Sequence, residues 1–196
     1  MPKPSLRNDL LAAGLRIMFR QGYNGTGVRD VVAEANAAQG SFTNHFRSKE
    51  EFGREVLDRY FAHTQGLVRE ALDDETLKPR DRLRRYLDII TDRLKAEDWS
   101  RGCLIGDFSL EVAPQSEVMR ERLSQIFLEW RAPFAACIAA AQAEGDIATD
   151  FTPEDLAEFL LASWEGAILR MKVDRNRTAL DRFKKIAFAT VFTNKN

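Results

Sequence analysis

Residues 19–52 read FRQGYNGTGVRDVVAEANAAQGSFTNHFRSKEEF, and the spacing within them decides the fold. Gly22 and the pair Asn24-Gly25 stop a first helix. Val28, Val31, Val32 and Ala35 recur at i, i+3, i+4 and i+7, one face of a helix only two turns long. Asn36 is a left-handed terminator, second only to glycine in that role. Gln39–His45 then offers small, hydroxyl and amide side chains with one large apolar residue, Phe42, to dock it. Ser48-Lys49-Glu50-Glu51 is a capping box, in which a serine accepts an orphan backbone N–H and the glutamate three residues on reaches back. Two short helices about a tight turn are the plan of a helix-turn-helix. The second must enter a major groove roughly 12 Å wide and offer hydrogen-bonding groups to base edges.

Outward from this stretch the period stays helical, with no convincing alternation of the strand type. Ser5 caps a helix striped by Leu6, Leu10, Leu15, Met18 and Phe19. A long helix opened by Ser48 carries Phe52, Val56, Tyr60 and Leu67, and Pro79 opens another with Leu83, Leu87, Ile90 and Leu94 inward. An irregular link, Trp99 to Gly106, leads into a short helix ending near Pro114. Ser116 starts a helix through Ile138 that Pro133 is expected to kink, and Thr152-Pro153 signals the penultimate helix. Spans 153–173 and 178–193 complete about nine helices. The expected architecture is all-α, with a helix-turn-helix domain over residues 1–48 and a helical regulatory and dimerisation domain over 49–196.

The 196 residues suffice for a sizeable core, and 44% apolar with 30% charged residues is ordinary for a soluble domain. No apolar run approaches the roughly 20 residues of a membrane span. Met1-Pro2-Lys3-Pro4 runs into an amphipathic stretch rather than the apolar centre of a signal peptide, so a cytoplasmic protein with no membrane partner is expected. Residues 1–50 hold seven Lys or Arg against four acids, a net +3, although the chain as a whole is at −1. A basic head on an acidic body suits contact with phosphate at one end only. Cys103 and Cys137 fit no zinc spacing and only His45 and His63 could assist them, so two thiols and no metal or cofactor are expected. No paired carboxylates, Ser-His-Asp set or phosphate-cradling glycine loop supports an enzyme.

The residues Gly22-Tyr23, Thr26, Gly40-Ser41, His45-Phe46 and Ser48-Lys49-Glu50 make this stretch resemble the TetR family of regulators. That resemblance implies an all-helical homodimer, usually a repressor, on a palindromic double-stranded operator. It implies that Thr26, Lys49 and the 39–45 segment, with Gly40, Thr43 and His45, approach phosphates, while Gln39, Ser41 and Asn44 are best placed to read bases. Thr43 stands where the family usually has an aromatic residue, Asn36 where glycine is common, Ala38 where a capping serine is common, and Gly27 where a hydroxyl is common.

The last two helices resemble those that pair in family dimers. Ser163, Gly166 and Ala167 allow close approach, and Leu160, Trp164 and Phe183 are candidates to fill the seam. The stretch Arg101-Gly-Cys-Leu-Ile-Gly-Asp-Phe108 is similar to the branch that includes the repressor of N-ethylmaleimide reductase, a group answering to electrophiles and oxidants. The resemblance puts Cys103 at the reactive thiol and Lys172 where a basic partner sits. The alternative within the class is a reversible small-molecule pocket lined by Phe61, Tyr86, Trp99, Phe108, Trp130, Phe134 and Trp164. The alternative outside it is a helical ligand-binding or interaction protein that no longer binds DNA.

Overall fold

A computed structural model describes residues 5–194; the reading of Met1-Pro2-Lys3-Pro4 lies outside the described residues. Within them there are eight α-helices and one 3-10 turn, and no strand: α1 (Leu6–Gln21), α2 (Val28–Glu34), the 3-10 turn Gln39–Ser41, α3 (Lys49–Leu72), α4 (Pro79–Ala96), α5 (Leu104–Glu111), α6 (Glu117–Ala143), α7 (Pro153–Asp174) and α8 (Thr178–Thr190). The expected count of about nine is met if the 3-10 turn is included.

The start signals work as their chemistry dictates. The Ser5 hydroxyl accepts from the Asn8 amide at 3.4 Å and the Thr152 hydroxyl from the Asp155 amide at 3.1 Å. At α3 the Ser48 hydroxyl accepts from the Glu51 amide at 3.0 Å, and the Glu51 carboxylate reaches back to the Arg47 amide at 2.7 Å. Asn36 is left-handed at φ 50°, and the following amide of Ala37 closes on the Val32 carbonyl at 3.0 Å. α6 is assigned as one helix with Pro133 inside it.

Two compact units result. The first joins Met1–His63 with Leu104–Gln125; the second joins Thr64–Cys103 with Ile126–Asn196. The chain leaves and re-enters each unit, so neither is a single stretch of sequence.

The core of the first unit is built on Leu10, Met18, Val31, Phe42, Phe46, Phe52 and Val56, each 3% exposed or less. Phe42, Phe46 and Phe52 form a triangle of tilted and edge-on rings, with centroids 5.3, 5.1 and 4.8 Å apart. The Arg7 guanidinium lies 5.1 Å over Phe46 while pairing with Glu55. In the second unit Tyr86 and Phe134 meet edge-on at 4.9 Å, among buried Leu83, Leu87, Ile138, Leu160, Trp164 and Met171. Arg80 closes the end of α8 by donating to the Phe192 and Phe188 carbonyls at 2.6 and 2.9 Å, which satisfies two of the orphan carbonyls of a helix C-terminus.

Gly14 lets α1 approach α3: a Cβ there would collide with the Phe52 ring and press on Val56 at 3.0 Å. Alanine would gain about 1 kcal/mol of helix propensity. It would lose about 1–3 kcal/mol by overpacking a ring already fixed by two others. Gly14→Ala is therefore expected to be net destabilising, read as a lower denaturation midpoint with an unchanged slope; equal or greater stability would mean the ring triangle yields freely.

Candidate nucleic-acid interface and signal site

The α1–α2 turn is tight because its residues satisfy one another. Gly22 sits at φ 76°, a conformation only glycine adopts cheaply, and its amide still closes on the Met18 carbonyl at 2.9 Å. Thr26 is 1% exposed, and its hydroxyl donates to the Gly22 carbonyl at 2.6 Å. Its contribution therefore runs through the turn, since it presents no hydroxyl at the surface. Gly27 offers no side-chain cap for α2; Asp30 compensates by accepting from the Gly27 amide at 2.8 Å.

The segment after α2 is less helical than its residues suggest. Gln39–Ser41 make one 3-10 turn, begun by Ala38 with no side-chain cap. Phe42–His45 continue as a turn in which the His45 and Phe46 amides both close on the Phe42 carbonyl, at 3.0 and 2.9 Å. The Thr43 hydroxyl donates back to the Gly40 carbonyl at 3.0 Å. Gln39, Gly40, Thr43, Asn44 and His45 are exposed, whereas Ser41 is buried beside Phe42. The segment thus shows one continuous polar face, with Phe42 as its anchor.

Charge on this unit is distributed in a way the sequence count conceals. Arg16 and Arg20 both donate to Glu34, at 2.9 and 2.6 Å, and these two guanidiniums hold its carboxyl down to about 2. With Arg7 on Glu55, three of the basic residues are already matched by acids. Among the described residues Arg29 and Arg47 are exposed and make no ion pair. Lys49 is half-buried, its ammonium 4.5 Å over the Tyr23 ring and 3.5 Å from the Asn24 carbonyl. Burial lowers the Lys49 pKa, opposed by the nearby charges of Glu111 and Asp30. Neither arginine was among the sequence candidates: Arg29 has no acid three or four residues away, whereas Arg47 has Glu50 and Glu51 at those spacings, so only the structure shows it unpaired.

In the second unit Cys103 is 8% exposed at the end of an irregular loop. That loop opens with Asp98 and Trp99 both left-handed, at φ 51° and 57°, a cost usually found where function needs a special backbone path. Arg101 pairs with Glu97 at 3.0 Å. Lys172 runs alongside Gly102: a Cβ on that glycine would lie 3.2 Å from the Lys172 Cδ and 3.7 Å from its Nζ. The amine therefore sits beside the residue preceding Cys103. The Tyr86 hydroxyl lies within electrostatic reach of Cys103 and Glu165, and burial raises its pKa well above the ordinary value. The Trp130 N–H stands beside that hydroxyl without closing a hydrogen bond of ordinary geometry, and the buried Trp164 N–H likewise has no acceptor among the described residues. Phe134 packs on Tyr86, while Phe108 belongs to the other unit, edge-on to Tyr23 at 5.4 Å.

Residues 10–56 match the family described as bacterial regulatory proteins, tetR family, and residues 79–187 match the tetracyclin repressor-like C-terminal domain. The chain belongs to the TetR family. It is 43% identical to the HTH-type transcriptional repressor DhaR of Mycobacterium sp. (strain GP1) over 96% of this chain and 93% of that protein. It is 29% identical to the repressor NemR of Escherichia coli (strain K12), over 89% of this chain and 88% of that one. The crystal structure of E. coli NemR in its reduced form superposes with a TM-score of 0.85, covering 98% of this chain and 100% of that chain. A double cysteine mutant of the TetR family regulator CifR, complexed with a 26bp double-strand operator DNA, is 25% identical, with a TM-score of 0.82 and coverage of 97% and 99%. These proteins are transcriptional regulators rather than enzymes, and the chain is a TetR-family transcriptional repressor of the NemR-like branch. No helix among the described residues is long and apolar enough to cross a membrane.

The helices that resemble a family dimer seam divide their residues in this TetR-family chain. Leu160 and Trp164 are 0% and 1% exposed and hold α7 from inside, with Trp164 against half-buried Phe183 at 5.5 Å. Ser163 and Ala167 are half-buried at the border. The outward stripe is instead Phe159, Ala162, Gly166, Leu169 and Val173, with Ile186 on α8.

The second cysteine is chemically quiet. Cys137 is buried, its thiol donates to the Pro79 carbonyl at 3.1 Å, and desolvation pushes its pKa up to about 11. Only the thiolate is nucleophilic. Mass spectrometry after alkylation of the native protein is expected to leave Cys137 unmodified near neutral pH and to label it only as pH approaches 11; rapid labelling at pH 7 would show that this pocket opens.

Proposed function

We propose that this repressor binds a palindromic operator as a homodimer and is released when an electrophile or oxidant modifies Cys103. The observation that carries DNA binding is the polar face of residues 39–45, docked by one buried phenylalanine. Gln39 and Asn44 read base edges, an amide to adenine being the natural pairing, while Ser41, expected from the sequence to join them, is buried beside Phe42 and supports the segment from behind. Gly40, Thr43, His45, Lys49, Arg29 and Arg47 meet the phosphates, and Thr26 holds the turn behind them. In this reading residues 1–48, with Lys49 at the start of the next segment, carry the DNA contacts, and the rest of residues 49–196 carry dimerisation and sensing. The operator complex of CifR supports the DNA half.

Sensing rests on Cys103 and Lys172. An oxidant of the peroxide or hypochlorite class converts the Cys103 thiolate to a sulfenic acid. The neutral Lys172 amine then attacks that sulfur and expels water, leaving an S–N bond. An electrophile instead adds directly to the sulfur. Either product alters the loop that leads into α5. A second, reversible reading has one observation in its favour: the Trp130 and Trp164 N–H groups are buried without acceptors, and a bound carbonyl or carboxylate compound beside Phe134 would supply one.

DNA from upstream of its own gene is the probe for both halves. Binding is expected to weaken steeply with salt, because each phosphate contact releases counterions. An electrophile is expected to release the parent protein and not Cys103→Ser. Flat salt dependence would defeat the DNA reading, and release of Cys103→Ser would favour the reversible pocket.

For the dimer, the outward stripe on α7 recurs at alternating spacings of three and four, the pattern of a helix seam. Leu169 and Val173 are 54% and 71% exposed, too apolar for solvent in such a row. Leu169→Glu with Val173→Glu is expected to give a folded monomer by light scattering and to abolish operator binding. An intact dimer would move the interface elsewhere.

A further inference from the structure

The turn on which Lys49 rests is held by a helix far along the chain. The Asn24 amide donates to the Glu111 carboxylate at 2.9 Å, and the Asn24 side-chain amide donates to the Glu111 backbone carbonyl at 3.2 Å, 87 residues apart in sequence. One residue earlier, the Tyr23 ring packs edge-on against Phe108 of the same helix, α5. Two glycines make room for this arrangement. A Cβ at Gly22 would collide with the Glu111 carboxylate, and one at Gly53 of α3 would collide with the Tyr23 ring. Tyr23 and Asn24 are also the two residues that Lys49 touches, by its ring and by its carbonyl. Beyond α5, Ser116 adds a bond to Glu50, next to Lys49.

We infer that Glu111 is a positioning residue for operator binding, fixing the Tyr23–Asn24 turn from α5 and so setting where Lys49 presents its charge to a DNA phosphate. Lys49 carries a four-carbon stem with many rotamers, and its charge is useful to a phosphate only where the stem is aimed. The ring beneath it and the carbonyl beside it supply that aim. Both belong to a turn that α1 and α2 leave exposed and that α5 anchors with two hydrogen bonds and a ring. The carboxylate works here by reach, as an acceptor for a backbone amide. Its charge opposes phosphate, which separates the two contributions. α5 also begins at the residue after Cys103, so the covalent chain itself joins the proposed sensing thiol to this anchor. Movement of α5 along its axis would be felt at Asn24 before any base-reading residue. The inference rests on the reading of Lys49 as a phosphate contact.

The test uses the full-length protein and the upstream DNA, with affinity measured by fluorescence anisotropy across a salt series. Lys49→Ala is expected to bind roughly tenfold more weakly, with a salt slope lower by about one contact. Glu111→Asp keeps the charge and loses the reach, and is expected to behave the same way. Glu111→Gln loses the charge and keeps an acceptor oxygen for Asn24, and is expected to bind at least as well as the parent. The double variant of Lys49→Ala with Glu111→Asp is expected to be no weaker than either single one. Thermal unfolding and light scattering on each variant confirm a folded dimer, and Glu111→Gln carries the comparison if the aspartate variant is unstable. Parent-like binding and slope in Glu111→Asp, or weakening in Glu111→Gln equal to that in Lys49→Ala, overturns the inference. Additive losses in the double variant overturn it as well. An unchanged slope in Lys49→Ala overturns the phosphate reading first, and the inference with it.

Discussion

The DNA-facing part of this protein depends on three phenylalanine rings. Residues 39–45 are too few to hold a helix by their own hydrogen bonds, because the first turn fixes several dihedrals for one bond. The segment lacks a side-chain cap at Ala38, and only one residue of it is large and apolar. Its conformation therefore comes from Phe42, held between Phe46 and Phe52, with the Phe42 carbonyl receiving two amides that close the turn. The polar face is a consequence: once Phe42 points inward, Gln39, Gly40, Thr43, Asn44 and His45 have no core to face.

Electrostatics then selects which basic residues remain available to DNA. Glu34 takes two arginines and Glu55 a third, so much of the formal +3 of the head is spent locking α1 to its neighbours. Among the described residues of the head, Arg29, Arg47 and Lys49 stand outside these ion pairs. The departures from the family pattern are absorbed locally. Asp30 replaces a hydroxyl cap at Gly27, Asn36 adopts the left-handed conformation that glycine takes more cheaply, and Thr43 turns its hydroxyl onto Gly40.

The grouping of α5 and the start of α6 with the N-terminal helices means that residues far along the chain help to build the unit holding the helix-turn-helix. Glu111 and Phe108 contribute to the α1–α2 turn although they follow the Cys103 loop in sequence. Cys137, by contrast, is kept protonated by burial, which leaves Cys103 as the thiol with a basic neighbour and a costly backbone path before it.

The sequence by itself determined what local chemistry can specify. Apolar spacing along Val28–Ala35 and the capping groups at Ser5, Ser48 and Thr152 place helices without reference to the rest of the chain, because an orphan amide and its acceptor lie within four residues of one another. The all-α class and the docking role of Phe42 were legible on the same terms. Tertiary structure decided everything that depends on partners distant in sequence. Thr26 has the residue type of a phosphate contact, yet burial sends its hydroxyl to the Gly22 carbonyl. Leu160 and Trp164 have the pattern of a seam, yet the protomer's own core takes them and leaves Phe159, Leu169 and Val173 outside, because a helix buried on one face can offer a partner only the other. Glu111 carried no signal at all. Its role exists only because folding brings a carboxylate to a backbone amide 87 residues away.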